Sequence, residues 1–278
     1  MKKISRRSFM AAAAVSVAAL AMTACGGSAS SAASSVASSA ASSEAASSAT
    51  AAELTTVEAG KLTMATNAAF PPYEMTTDAG EFEGIDVDTA KAIAEKLGLE
   101  LQIDDMDFDA ALLSVQQGKA DIVMAGVTVT DERKAVMDFS DSYATGIQSI
   151  IVPEGSDITS PDDLAGKKIG TQRGTTGYIY CSDDFGDDAV VAYDDGLTAV
   201  QALNNGQVDA VVIDNAPAKE FVAANPGLVI LDTSYAEEDY AIGLAKGSAL
   251  EDAVNAALEE LKADGTLQSI VDKYITAE

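Results

Sequence analysis

The sequence predicts an α/β protein of two lobes, each built on a mostly parallel sheet flanked by helices. Strand and helix patterns alternate from Lys61 onward, and a βαβα order favours a parallel sheet with helices on both faces. In addition, the stretch DAALLSVQQGKADIVMAG from Asp109 is similar to LTAVQALNNGQVDAVVID from Leu197. Two such helix–glycine–strand units suggest two lobes, although any unit of this kind shares the pattern.

The first predicted lobe begins with a strand and a proline-containing loop. Gly98 is placed to end the helix that follows the EFEGIDVD stretch, because glycine readily adopts the left-handed conformation at a helix end. Alternating and continuous apolar runs mark the strands. The predicted elements are a strand at 61–66, a loop at 67–73, a helix ending at Leu97, a strand at 99–103, a helix at 108–117 and a buried strand at 122–125.

The second predicted lobe repeats this alternation. It contains a glycine-rich turn at 173–177, which lacks the Lys-Ser/Thr ending of a phosphate-binding P-loop. The other predicted elements are strands at 168–171, 189–192, 208–213, 228–231 and 240–245, and helices at 197–204, 216–224, 249–263 and 267–274.

The N-terminus has the features of an export signal. Four basic residues precede an apolar stretch at 10–22, which is too short to span a bilayer comfortably. Small residues then lead to Cys25, as in a lipoprotein cleavage site, and the Ser-Arg-Arg-Ser-Phe run at 5–9 also resembles a twin-arginine signal. The Ser/Ala-rich segment that follows predicts a flexible tether, with an alanine-rich helix as the alternative.

Composition excludes several classes of function. The formal net charge is −27, and removing residues 1–24, which hold four basic residues and no acids, takes it to −31. Such an acidic chain is not expected to bind nucleic acid or to dock on anionic lipid. The absence of histidine excludes His-based acid–base catalysis and His metal sites. If Cys25 is lipidated, Cys181 has no partner for a disulfide, and we expect it to be a buried apolar residue.

The stretch from Asp121 to Tyr143 carries the strongest functional pattern. Thr130 is a candidate N-cap for a helix that has Asp131 and Glu132 in its first turn. Arg133 lies in the same turn, where a cation opposes the helix dipole. An arginine beside a helix N-terminus can hold a small carboxylate, whereas the alternative is an ion pair with a nearby acid such as Asp138.

A family resemblance favours the role of Arg133 in binding a carboxylate. The pattern T-x-T-x-x-R-x-x-x-x-D-F-S-x-x-Y, from Thr128 to Tyr143, resembles the extracellular solute-binding proteins of polar amino-acid ABC transporters. The resemblance covers about Lys61 to Tyr274. It implies a two-lobed clamp of the periplasmic-binding-protein type II fold, in which the chain crosses between the lobes twice.

The resemblance implies that one group of site residues lies in the first lobe. Phe70 stands at the stacking aromatic of the family, and Asn67 takes a place often held by an acid. Phe108 matches a second pocket aromatic, with core packing as the alternative. The Gly126 carbonyl and the Thr128 hydroxyl would hold the two charged ends of an amino acid, and Arg133 would bind its carboxylate.

A second group would come from the other lobe. Thr175 and Thr176 resemble the carboxylate-binding pair of the family. Asp214 would bind the ligand ammonium, or else only cap the helix that begins near Ala216. With Asn67 uncharged, we expect the side chain of the ligand to be polar and uncharged, or small, rather than that of arginine or lysine.

The predicted domains are a signal peptide at 1–24, a lipidated Cys25 with its tether at 25–60, lobe 1 at 61–150 and 238–278, and lobe 2 at 151–237. The resemblance implies a monomeric, lipid-anchored, extracytoplasmic receptor without metal or cofactor, which passes a free L-amino acid to ABC permease subunits. The alternatives are a dehydratase of the same fold acting on a prephenate-like acid, and a ligand-sensing receptor.

Overall fold

The computed structural model describes residues 54–275, so the predicted signal peptide, Cys25 and most of the tether lie outside the described residues. The strands are β1 (Lys61–Thr66), β2 (Ala69–Phe70), β3 (Glu74–Thr76), β4 (Phe82–Glu83), β5 (Glu100–Asp105), β6 (Ile122–Val123), β7 (Met137–Phe139), β8 (Ala144–Pro153), β9 (Ile169–Gln172), β10 (Val190–Tyr193), β11 (Ala210–Asp214), β12 (Leu228–Ile230), β13 (Ala236–Tyr240) and β14 (Gly243–Ala245).

The helices cover both faces of the sheets. They are α1 (Ile85–Leu97), α2 (Phe108–Gln116), α3 (Asp131–Lys134), α4 (Thr176–Phe185), α5 (Gly196–Asn204), α6 (Asn215–Ala224), α7 (Glu251–Ala263) and α8 (Thr266–Tyr274), with short 3-10 helices at Pro161–Leu164 and Asp187–Ala189. Gly98 ends α1 in the left-handed conformation, as predicted. Within residues 54–275, no helix is long and apolar enough to cross a membrane.

Two large sheets define two lobes, as the sequence predicted. The sheet of the first lobe has the strand order β5-β1-β6-β14-β7, and that of the second has β10-β9-β11-β8-β12, with β13 also paired to β8. Both are mixed sheets rather than the mostly parallel sheets predicted. The β5-β1-β6 and β10-β9-β11 groups are parallel, whereas the pairs made by β14 and β8 are antiparallel. The reason is that β8 and β14 directly follow crossings between lobes, without a crossover helix that would restore the strand direction.

The two crossings lie side by side. The chain leaves the first sheet after Phe139 and enters the second at Ala144, and it returns between Tyr240 and Gly243. The crossing segments are joined by antiparallel pairing of β13 with β8, from Ala236 opposite Gln148 to Tyr240 opposite Ala144. The lobe boundaries suggested by sequence, near residues 150 and 238, therefore fall inside strands β8 and β13.

The two similar sequence stretches, from Asp109 and from Leu197, form the same structural unit in the two lobes. Gly118 and Gly206 follow α2 and α5 with positive φ of 65° and 66°. Three residues later, Asp121 accepts a hydrogen bond from the Thr63 amide at 2.8 Å, and Asp209 accepts one from the Lys168 amide at 2.7 Å. Each aspartate thus ties the start of one sheet strand to the start of its neighbour, and the same contact recurs in both lobes.

A small sheet and a helix that carry the predicted site residues Phe70 and Thr176 were not predicted from the sequence. The predicted loop at 67–73 contributes to a small antiparallel sheet of β2, β3 and β4. Helix α4 begins within the predicted glycine-rich turn, because Thr175 caps it by accepting from the Tyr178 amide at 3.3 Å. The β-branched and aromatic residues of α4 have only modest helix propensity, so tertiary packing decides its conformation. Cys181 in this helix is buried, as expected, and burial raises the pKa of its thiol to about 12.

Candidate functional site

The candidate site lies where the carboxyl ends of strands from both lobes meet, the usual location of ligands in open α/β sheets. It contains a small cavity lined by residues of both lobes. The lining contains all nine predicted ligand-binding residues. The lining residues are Asn67, Phe70, Glu74, Phe108, Ala125, Gly126, Thr128, Arg133, Gln172, Thr175, Thr176 and Asp214.

Arg133 is positioned by the short helix α3. The Thr130 hydroxyl accepts from the Arg133 amide at 3.2 Å and forms the predicted N-cap. The Arg133 side chain is turned inward, leaving the residue 8% exposed. Its Nη1 donates to the Thr128 carbonyl at 2.8 Å and its Nη2 to the Gly174 carbonyl at 3.1 Å. Two carbonyls, one from each lobe, therefore fix the guanidinium at the cavity.

The alternative pairing of Arg133 with Asp138 is wrong. Asp138 instead lies 2.6 Å from Lys246 Nζ and also accepts from the Gly247 amide. Within residues 54–275, no carboxylate forms an ion pair with Arg133. Burial lowers the pKa of Arg133, while the negative charge of Glu238 acts in the opposite direction. A buried guanidinium without a carboxylate partner is costly, and a bound anion would relieve that cost.

Aromatic rings form the apolar wall of the cavity. The Phe108 ring centroid lies 5.4 Å from the Arg133 guanidinium carbon, within cation–π range. Phe70 stacks on Tyr73 with a centroid distance of 6.0 Å. Phe70 also lies against Gly126, where a Cβ would approach the ring to 2.9 Å and where φ is +56°. A side chain at residue 126 would therefore displace the ring that lines the cavity.

The hydroxyls of Thr128 and Thr176 lie 3.5 Å apart and face each other from the two lobes. Both donate to Glu238 Oε2, at 3.2 Å and 2.8 Å. Glu238 is 7% exposed and was not predicted. The Thr175 hydroxyl differs from its neighbour because it donates to the Gln172 carbonyl at 2.8 Å. Thr176 is therefore the threonine of the predicted pair whose hydroxyl forms the contact between lobes.

Asn67 joins the lobes at another point. Its Oδ1 accepts from Gln172 Nε2 at 2.8 Å, and its Nδ2 donates to the Met106 carbonyl at 2.9 Å. Gln172 ends strand β9 and was missed, although its place at a strand end in the second lobe was a usable signal. The Asn67 amide is satisfied at both ends by these contacts.

Asp214 ends strand β11 and is 8% exposed. It occupies the N-cap position of α6, but its side chain forms no capping hydrogen bond. Instead, Oδ2 accepts from Gln148 Nε2 at 2.9 Å. Burial raises the pKa of Asp214 to about 7, and the nearby Glu238 adds to this rise. Helix capping therefore does not explain why the Asp214 carboxyl is buried at the cavity.

A comparison with protein families decides the identity of the fold. Residues 62–277 match the model of the bacterial extracellular solute-binding proteins, family 3. The chain belongs to this family. Its members bind solutes and are not enzymes, and they act outside the cytoplasm.

Curated relatives cover most of this chain. A probable histidine-binding protein of Neisseria gonorrhoeae is 33% identical over 275 residues, covering 96% of this chain and 95% of the relative. The arginine-binding extracellular protein ArtP of Bacillus subtilis is 33% identical over 230 residues, covering 78% of this chain and 87% of the relative.

Solved structures share the fold. An ancestral arginine-binding protein bound to arginine has a TM-score of 0.74 and 43% identity, covering 78% of this chain and 98% of that protein. The arginine-, lysine-, histidine-binding protein ArtJ of Geobacillus stearothermophilus has a TM-score of 0.75 and 35% identity. The match covers 78% of this chain and 96% of ArtJ.

Proposed function

We propose that this family 3 protein binds a polar L-amino acid between its two lobes and delivers it to an ABC permease. The observation that carries the proposal is the buried Arg133 guanidinium, which faces the cavity without a carboxylate partner among the described residues. The names of the relatives, which bind arginine, histidine, cystine or glutamine, agree with an amino-acid ligand.

The ligand carboxylate belongs beside Arg133. An arginine fork binds a carboxylate with two parallel hydrogen bonds, and the hydroxyls of Thr128 and Thr176 are the nearest neutral donors from the two lobes. Those hydroxyls now donate to Glu238, so the ligand would compete with Glu238 for them. The ligand carboxylate and Arg133 would then neutralise each other.

The ligand ammonium belongs beside Asp214. An ammonium brought close to this carboxyl favours its ionised form and lowers its raised pKa. The Gly126 carbonyl, expected from the family resemblance to accept from the ammonium, belongs to a residue in the same cavity lining. Opposite charges on the two lobes would thus hold the two ends of one zwitterion.

Because Arg133 and Asp214 come from different lobes, a ligand bound to both acts as a bridge and favours the closed arrangement. The paired segments β8 and β13 would form the hinge. For delivery, we propose that Cys25 carries a lipid that keeps the receptor at the outer face of the membrane, close to its permease.

A thermal-shift screen of the twenty amino acids tests the proposal, since a ligand that binds only the native state raises its apparent stability. Calorimetry and small-angle X-ray scattering then follow with the best ligand. We expect binding to decrease the radius of gyration. An absence of binding to any amino acid would contradict the proposal.

A further inference from the structure

Asp86 is a buried acid that contacts both the lining of the cavity and a crossing between the lobes. It is the second residue of α1 and is 0% exposed. Its Oδ2 accepts from the Gly126 amide at 3.0 Å and from the Tyr143 hydroxyl at 2.8 Å. Gly126 lines the cavity, whereas Tyr143 directly precedes β8, where the chain enters the second lobe. One oxygen atom therefore joins the cavity lining to the crossing.

The Asp86 carboxyl is ionised at neutral pH. Burial raises its pKa to about 6, and the hydrogen bonds from Gly126, Tyr143 and Glu74 act in the opposite direction. Glu74 is the donor in its hydrogen bond with Asp86, because burial and the Asp86 charge hold the pKa of Glu74 well above its usual value. The first turn of a helix also favours a negative charge. Three donors thus converge on one carboxylate.

The contact with Asp86 fixes the conformation of Gly126. The φ of Gly126 is +56°, and glycine adopts such angles as readily as negative ones, so this part of the chain does not select one conformation by itself. A hydrogen bond to an ionised acceptor is stronger than one between neutral groups, and it holds the peptide in one orientation. Because Phe70 lies against Gly126, the same contact also keeps this part of the cavity wall in place.

The contact with Tyr143 connects Asp86 to both crossings. The Tyr143 amide donates to the Tyr240 carbonyl at 3.0 Å, directly before β8 begins its pairing with β13. Tyr143 is 7% exposed, so its ring has little freedom to move independently of the main chain. A rotation of the crossings would therefore move the Tyr143 hydroxyl, and with it the carboxylate that accepts from Gly126.

We propose that Asp86 is a positioning residue for the ligand ammonium. It orients the Gly126 peptide so that the Gly126 carbonyl can accept from the ammonium, and through Tyr143 it makes this orientation depend on the closed arrangement of the crossings. Asp86 acts through Gly126 and does not line the cavity itself. The role rests on the proposed function, in which the Gly126 carbonyl accepts from the ammonium, and it assigns a further residue to that contact.

Asp86→Asn tests the proposal, because it keeps the size of the side chain and one acceptor oxygen but removes the charge. The probe is L-arginine, L-histidine or L-glutamine, whichever stabilises the wild type most in the thermal-shift screen. We expect calorimetry to show binding weakened by about 10-fold or more, since a charge-assisted hydrogen bond is replaced by a weaker one. Asp88→Asn is the matched control. Asp88 lies in the same turn of α1, but it pairs with Lys273 and Tyr274.

Tyr143→Phe tests the connection to the crossing, because it removes only the hydroxyl. We expect it to weaken binding of the same probe by roughly fivefold. The double variant Asp86→Asn/Tyr143→Phe should bind about as weakly as Asp86→Asn alone, since both changes act through the same oxygen atom. Tyr193→Phe, at a half-buried tyrosine of β10 in the second lobe, is the control.

Amide proton spectra of the empty protein provide a readout that a general loss of stability would not change. In the wild type the Gly126 amide proton should resonate downfield, because it is bonded to a carboxylate. Asp86→Asn should move this signal upfield and accelerate its hydrogen exchange by about 10-fold or more, while the amides of β9 keep their wild-type exchange rates.

The outcomes separate this inference from the proposed function. Wild-type affinity of Asp86→Asn, or an unchanged Gly126 amide signal, overturns the inference. Fully additive effects of Asp86→Asn and Tyr143→Phe also overturn it, because the two residues would then act separately. If the wild type binds an amino acid and requires Arg133, while Asp86→Asn binds equally well, the proposed function stands and the inference falls. If no amino acid binds to the wild type, both are overturned.

Discussion

Arg133 of the first lobe donates from Nη2 to the Gly174 carbonyl of the second lobe at 3.1 Å. The same guanidinium holds the Thr128 carbonyl of its own lobe at 2.8 Å. Both acceptors are neutral, so the positive charge is held in position but not neutralised. Such a group can stabilise a closed arrangement and still attract an anion into the cavity.

The first prediction concerns Arg133. Arg133→Ala should weaken amino-acid binding by about 2–5 kcal/mol, because the ligand carboxylate would be buried without its partner. Arg133→Lys should also bind poorly, since an ammonium cannot form the two parallel hydrogen bonds of the fork. Isothermal calorimetry measures both. Arg173→Ala is a suitable control, because this arginine is half exposed in a surface pair with Asp194. Wild-type affinity for Arg133→Ala would contradict the assignment.

The second prediction concerns pH. The pKa of Asp214 is raised from 3.8 to about 7, so the folded state binds its proton more tightly than the unfolded state. The empty protein should therefore lose stability as pH rises from about 5 to 8, by roughly 2–3 kcal/mol from this group alone. Ligand affinity should rise over the same range, because the ammonium pairs with the ionised form. Denaturant unfolding and calorimetry across this range measure the two trends.

Asp214→Asn separates these effects. It should make the empty protein more stable than wild type at about pH 8, because no buried acid remains to ionise at residue 214. It should also lose most of its amino-acid affinity and stay open in small-angle scattering when ligand is added. Near-normal affinity together with wild-type compaction would be incompatible with the proposed role of Asp214.

The third prediction concerns Glu238. Its carboxylate receives four hydrogen bonds, from Thr128, Thr176, Gln148 and Tyr180. Glu238→Ala would leave buried donors unsatisfied, so it should lower the free energy of unfolding by about 1–3 kcal/mol. Glu238→Gln retains one acceptor oxygen and should cost less. Urea unfolding measures this, with the exposed neighbour Glu237→Ala as control. Equal stability of Glu238→Ala and Glu237→Ala would refute the prediction.

The fourth prediction concerns the anchor. Cys25 follows an apolar export signal and precedes a Ser/Ala-rich segment. We expect the mature chain to begin at a lipidated Cys25 and to partition into the detergent phase of a phase-separation extraction. Cys25→Ser should give unprocessed or soluble protein. Wild-type protein in the aqueous phase, with an N-terminus elsewhere, would show that the prediction is wrong.

The sequence by itself determined the features that depend on local pattern. Thr130 caps its helix because the cap and first turn are contiguous in the chain, and Gly98 ends α1 for the same kind of reason. Asp214 ends a strand, and the Thr128–Arg133 segment follows one. Both were predicted to face the site, because strands in parallel order end at one edge of a sheet. The similarity between the stretches from Asp109 and from Leu197 likewise predicted two similar units.

Only the tertiary structure decided which distant groups share the buried cavity. The hydrogen bond between Thr176 and Glu238 joins residues 62 positions apart in the chain, and that between Gln172 and Asn67 joins residues 105 positions apart. No local pattern identifies these pairs. The burial of Glu74 and the raised pKa of Asp214 come from the packing of surrounding elements. The antiparallel strands of both sheets also follow from the lobe crossings, because strand direction depends on how the chain re-enters a sheet and not on its side chains.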